Sequence, residues 1–248
     1  MLTSQHRIRY SRQLLLGDIG EAGQQTLLNA SVLVIGAGGL GSPLLLYLSA
    51  AGVGNIGIVD DDLVDPSNLQ RQILYTESDI GLAKSPQAKA HLSALNSGIT
   101  IHTYQERLTS DNAAAIFAQY DIIADGSDNF ETRFLVNQTC IQTKKPLIAA
   151  AVQGWQGQLY VVRGYLPDQP CYACLYPSAL VGQDLSCSQI GVVGAACGVL
   201  GSLQATEIIR MILGHHPDHS GTMLIVDLQK GLFRRTHISI DSNCSCTF

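Results

Sequence analysis

Residues 32–62 read VLVIGAGGLGSPLLLYLSAAGVGNIGIVDDD: a β-branched apolar run, a glycine turn, an apolar helical stretch, a second apolar run and a group of acids. No other stretch restricts the fold as strongly. A strand that turns through glycines into a helix and returns to a second strand opens an α/β sheet with helices on its faces. Gly36, Gly38 and Gly41 stand in G-x-G-x-x-G spacing, with Gly39 inside it. Glycines there let backbone N–H groups at the helix start approach a phosphate. Asp60 ends the second strand, where a carboxylate meets ribose hydroxyls, and Asp62 follows it in the same acidic group. These features suit NAD and an adenosine phosphate equally.

The alternation continues along the chain. Apolar, β-branched runs recur at 32–35, 55–59, 100–104, 121–124 and 146–150, with helical patterns at 40–51, 83–96, 112–118 and 129–142 between most of them. The pattern predicts a doubly wound, mostly parallel, Rossmann-like α/β sheet. Ahead of it, residues 1–30 read as an arm of two short helices broken near 17–20. Behind it come GQLYVVRGYLP, a cysteine-bearing segment, a glycine-rich helix over about 191–213, and strands at 223–227 and 233–240, which extend the same sheet. A chain of 248 residues, 46% hydrophobic and 14% charged, can bury one substantial core. Residues 1–248 are therefore expected to form a single domain, with a nucleotide-binding half at 31–150 and an extended C-terminal half at 151–248.

Charge narrows the ligand. DPSNLQRQIL sets Asn68, Gln70, Arg71 and Gln72 just past the acids of the second strand, and Lys84 follows in GLAKSPQAKA. An uncharged nicotinamide needs none of these, whereas Arg and Lys neutralise triphosphate oxygens and stabilise the charge that builds as pyrophosphate leaves. DIIADGSDNFETR ends another strand with Asp125 and Asp128, at the sheet edge where ligands bind and a carboxylate could hold Mg²⁺. A net charge of −5 with no run of lysines or arginines argues against a nucleic-acid or anionic-membrane partner. The opening MLTSQHRIRYSRQ is too polar for an export signal, which implies a cytoplasmic protein. The apolar run 190–203 falls short of the roughly 20 residues of a membrane span.

Taken together, RYSRQ, GAGGLGSP, AGVGNIGIVDDDLVDPSNLQRQ, AKS, DGSDNFETR, PCYACLYP and GVVGAACGVLGSLQATEIIRMILG resemble, over nearly the whole chain, the ThiF, MoeB and HesA family of sulfur carrier protein adenylyltransferases. The resemblance implies an ATP-dependent homodimer that adenylates the C-terminal Gly-Gly carboxylate of a ubiquitin-like sulfur carrier and releases pyrophosphate. It implies that Arg12 of RYSRQ reaches into the partner's site, that Asp60 holds the ribose, that Asn68, Arg71 and Lys84 lie near the phosphates, and that Asp128 lies near the Mg²⁺. The implied carrier is ThiS-like, of thiamine thiazole synthesis, with the small subunit of molybdopterin synthase as the alternative. A sulfurtransferase or cysteine desulfurase is the implied sulfur source. An NAD-dependent oxidoreductase and a non-enzymatic carrier-binding module are the rival readings from other classes.

Seven cysteines in such a chain point to metal or thiol chemistry rather than disulfides. Cys171 and Cys174 stand at zinc-knuckle spacing, and Cys244 and Cys246 would complete a structural Zn²⁺ site. The family usually closes that site with C-x-x-C, whereas this chain has C-x-C. Residues 151–248 thus become the zinc-knuckle and carrier-binding half. Cys187 lies in a polar segment leading into a helix N-terminus, where a thiol pKa falls, and is a candidate nucleophile. Its position resembles that of the family cysteine that forms an acyl-disulfide with the carrier. Cys140 and Cys197, in apolar helices, read as packing residues. His215, His216 and His219 in GHHPDH read as a solvated loop; Gly191, Gly194, Gly198 and Gly201 read as close contacts within one helix. Trp155 reads as either a wall of the carrier-tail groove or a packing residue.

Overall fold

A computed structural model describes residues 1–176, 191–215 and 218–244. Five strands run parallel in the order β3 (Thr100–Tyr104), β2 (Asn55–Val59), β1 (Ser31–Ile35), β4 (Ile122–Asp125) and β5 (Leu147–Gln153). β6 (Gln156–Val162), β7 (Thr222–Asp227) and β8 (Leu232–His237) continue the same sheet antiparallel, giving eight strands. The fold is therefore α/β and Rossmann-like, as the alternation predicts. β1 and β2 are each buried at four of five positions, the pattern of strands covered on both faces.

Alternate side chains feed two cores. Val32 and Val34 join Ile56, Ile58, Ala124 and Ile148 under α3 (Gly20–Asn29), α4 (Gly41–Ala51), α5 (Lys84–Leu95) and the glycine-rich helix Gly194–Ile212. Leu33 and Ile35 face the other way, onto α6 (Ala113–Phe117) and α7 (Phe130–Thr143). Gly201 and Gly194 let the glycine-rich helix approach backbone. A Cβ at Gly201 would lie 2.5 Å from the Leu40 carbonyl oxygen, and one at Gly194 2.1 Å from that of Gln70. Gly198 meets nothing within 4 Å among the described residues.

Several boundaries differ from expectation. The arm holds three helices, α1 (Ser4–Arg9), α2 (Ser11–Leu14) and α3, because Tyr10 leaves the helical path with ψ 14 and buries its ring. That ring lies on Gly52, where a Cβ would come within 2.6 Å of it. Gly191 stays outside the glycine-rich helix at φ +82. β8 stops at His237, short of residue 240. GHHPDH is not simply solvated: His219 Nδ1 lies 2.7 Å from Glu207 Oε1, and Arg235 donates to the same carboxylate at 2.8 Å. Glu207 is 8% exposed, and a carboxylate so enclosed demands such partners. His216 lies outside the described residues. No described helix is long and apolar enough to cross a membrane.

Candidate nucleotide-binding site

Strand order reverses between β1 and β4, which opens a crevice beyond their carboxyl ends. A cavity of about 300 Å³ fills it, the size of a small-ligand site. The glycine turn forms one wall. Gly36 donates its N–H to the Val59 carbonyl (2.9 Å) at φ +86, a conformation that favours glycine. Gly39 is pressed between Cys197 and Arg71: an added Cβ would lie 3.0 Å from Sγ and 3.3 Å from the arginine Cγ. α4 begins at Gly41 without a side-chain cap, so its positive end is free to meet an anion beside Gly38 and Gly39, which line the cavity.

The charged groups surround this turn. Asp60 accepts from Ala37 N (2.7 Å) and Asp62 N (3.0 Å), which anchors its carboxylate to the glycine turn and leaves acceptor capacity for hydroxyl groups. Burial pushes the Asp60 pKa up, and Lys84 works against that shift. Lys84 opens α5 with its side chain 6% exposed, and its Nζ donates to Asp62 Oδ2 at 2.8 Å. Tyr75 braces both walls, donating to the Ala37 carbonyl (3.0 Å) and sharing that proton with the Lys84 carbonyl (3.3 Å). Burial raises the Tyr75 pKa and keeps it a donor.

Arg71 and Gln72 enter from a 3₁₀ turn, Pro66–Asn68, that Asp65 caps through Ser67 N at 2.8 Å. Asn68 shapes this turn rather than lining the cavity, since its carbonyl accepts from Arg71 N (3.0 Å) and Gln72 N (2.9 Å). Gln72 is 4% exposed and borders the cavity, with an Oε1 that no described group bonds. A buried acceptor without a donor is costly, so a bound ligand has reason to supply one.

The two acids at the end of β4 and just beyond it take different parts. Asp125 is buried, accepts from Ser127 N (2.9 Å), and has its pKa pushed up by burial while Arg133 opposes the shift. It does not line the cavity. Asp128 is exposed on the cavity wall and could hold a divalent cation. Arg12 is exposed on α2 and does not line this chain's cavity. Sequence reasoning missed Glu106, Arg107 and Leu108 after β3, Thr132 and Arg133 at the start of α7, and Val152 and Val192, all on the cavity wall. The carboxyl end of β3 was the one available signal for the first three. Cys197, read as packing, is indeed buried, yet it also borders the cavity. Cys140 is buried, and burial pushes its thiol pKa up, which keeps it unreactive.

A second cluster lies beside α7, next to the core that α6 and α7 cover. Cys171 caps the start of α8 (Tyr172–Leu175), Cys174 lies within it, and Cys244 reaches them from a turn closed by Asp241. The three sulfur atoms lie within 4.8 Å of one another, with Cys171 and Cys244 at 3.6 Å. Three converging thiols suit a thiophilic ion such as Zn²⁺. The short C-x-C link therefore does not keep Cys244 away. Cys246, its predicted companion, and Cys187, the predicted nucleophile, lie outside the described residues. Elemental analysis of the purified protein is expected to find about one zinc per chain. Stable protein free of metal would show that the cluster is only a packing contact.

Comparison with known proteins places this geometry. The sequence is 48% identical over 227 residues to the adenylyltransferase and sulfurtransferase MOCS3 of Culex quinquefasciatus, covering 91% of this chain and 51% of that protein. The chain spans about half the length of the MOCS3 relatives it matches. It is 42% identical over 248 residues to a sulfur carrier protein adenylyltransferase of Thermus thermophilus, covering 98% of this chain and 91% of that one. The fold matches the crystal structure of Escherichia coli MccB with ATP at a TM-score of 0.82 and 22% identity, over 96% of this chain and 74% of MccB. The ThiF family model matches residues 10–247. A match from Tyr10, between the first two arm helices, to the last cysteines makes this chain a member of the ThiF family.

Proposed function

We propose that the protein adenylates the C-terminal carboxylate of a ubiquitin-like sulfur carrier. One observation carries this reading: Lys84, Arg71, the anchored carboxylate of Asp60 and Asp128 line one cavity with the glycine turn. A relative sharing nearly the full length is named for this activity.

The reaction needs little from the protein beyond placement and charge. The carrier carboxylate is already ionised near neutral pH, so no base is required. One of its oxygens attacks the α-phosphorus of ATP; the bond to the bridging oxygen breaks, leaving an acyl-adenylate and pyrophosphate. Asp60 accepts from the ribose, and Gly38 and Gly39 expose backbone to the phosphates. Lys84 and Arg71 neutralise the departing pyrophosphate. Asp128 is the residue that would hold Mg²⁺, which when bound supplies further charge neutralisation.

In this reading residues 31–150 bind nucleotide and 151–248 receive the carrier within one domain. Arg12, exposed and unused in its own cavity, serves the second site of a homodimer. The carrier is ThiS-like, and the small subunit of molybdopterin synthase is the competing substrate in the same assay. ATP–pyrophosphate exchange is expected with one carrier and not with that carrier lacking its terminal Gly-Gly. Silence with every carrier overturns the proposal. Arg71→Ala is expected to lower exchange by about 10- to 100-fold, the value of one charge-assisted hydrogen bond at a half-exposed site; wild-type exchange would remove Arg71 from the mechanism.

A further inference from the structure

Arg133 has no role in the reaction above, yet its guanidinium is built into the cavity wall. Its Nη2 and Nε groups donate to the Ser127 carbonyl at 2.7 and 3.2 Å, while Asp125 accepts the Ser127 N–H at 2.9 Å. The turn that carries Ser127 and Asp128 is thus held from both ends of one residue. The remaining nitrogen of Arg133, Nη1, donates to the Tyr172 hydroxyl at 3.5 Å.

Tyr172 adjoins the cysteine cluster. It follows Cys171 directly, and its backbone N–H donates to Asn137 Oδ1 (2.9 Å), whose Nδ2 in turn reaches Cys171 Sγ (3.5 Å). Its ring is 1% exposed, edge-on to Phe134 and Tyr160 with centroids 5.7 Å away, and 5.0 Å from Tyr176. A ring so enclosed cannot swing independently of its backbone. A shift of Cys171 therefore moves the hydroxyl that Arg133 meets.

We propose that Arg133 is a positioning residue for the bound nucleotide and that Tyr172 couples it to the three cysteines, so that zinc in the cluster tightens nucleotide binding. This inference rests on the nucleotide reading of the cavity. Removing the Tyr172 hydroxyl preserves the ring packing and the cysteines, which isolates the coupling from the fold.

The test is calorimetric titration of a non-hydrolysable ATP analogue into zinc-loaded wild type and Tyr172→Phe, and into both after chelation and desalting. Zinc content and circular dichroism are followed throughout. Loaded Tyr172→Phe is expected to keep its zinc and bind the analogue about three- to tenfold more weakly, with KM for ATP in pyrophosphate exchange raised and kcat within about twofold of wild type. Chelation is expected to weaken the wild type by a similar factor and to change Tyr172→Phe little further, because the link is already cut. Unaltered analogue binding by loaded Tyr172→Phe overturns the inference even if chelation unfolds the chain. So does an equal loss on chelation in both proteins. Wild type that binds no analogue at all overturns the nucleotide reading as well, which separates the two failures.

Discussion

Lys84→Ala is expected to lower ATP–pyrophosphate exchange by about 10²- to 10³-fold while the protein stays folded. The magnitude follows from where the ammonium sits. Its side chain is 6% exposed, and an interaction with developing charge is worth far more in such a site than in water. Arg71, half-exposed, contributes less for the same reason. Folding should survive because Lys84 opens α5, where alanine is a better helix former, and because the carboxylate left behind on Asp62 is 68% exposed and remains solvated. In the proposed reaction the ammonium exchanges Asp62 for phosphate, so Asp62→Asn offers a contrast that leaves Lys84 in place. Thermal melting and exchange with the cognate carrier check both points, and exchange near wild type in Lys84→Ala would remove the lysine from the mechanism.

Gly41→Ala is expected to abolish nucleotide binding and to destabilise the protein by about 3 kcal/mol, near the top of the range for overpacked sites. The added Cβ would stand 2.0 Å from the Gly36 carbonyl oxygen, so the contact is with backbone and no side chain can turn aside. Either α4 shifts away from β1 or the glycine turn distorts, and both change the surface offered to phosphate. In a chain of this length about 3 kcal/mol corresponds to a fall of roughly 6–12 °C in melting temperature. Gly198→Ala is the control, because no atom among the described residues lies within 4 Å of that Cβ and helix propensity favours alanine by about 1 kcal/mol. An unchanged melting temperature and intact analogue binding in Gly41→Ala would contradict the geometry.

The two glycines show where sequence reasoning succeeds and where it stops. Gly41 belongs to a motif whose spacing states its own purpose, and the structure finds it pressed against Gly36 as the motif requires. Gly194 and Gly201 carry no such label; their reason is the backbone of Gln70 and Leu40, distant in sequence. The acids at the end of β4 and just beyond it divide the same way. DGSD announces carboxylates at a sheet edge, but only the folded chain shows that Asp125 turns inward to Ser127 while Asp128 faces the cavity.

What was legible along the chain was local: the runs that became β1 to β5, the glycine turn, Asp60 at its strand end, and the cation-bearing loop beyond it. Each depends on neighbours a few residues apart, where periodicity, turn chemistry and charge act directly. The tertiary structure alone decided that Arg133 and Cys197 join the cavity wall, that Tyr10 splits the arm at Gly52, that Cys244 meets Cys171, and that His219 turns to Glu207. Those contacts join residues from 12 to 73 positions apart. Their existence depends on how helices and strands pack, and no local pattern encodes that distance.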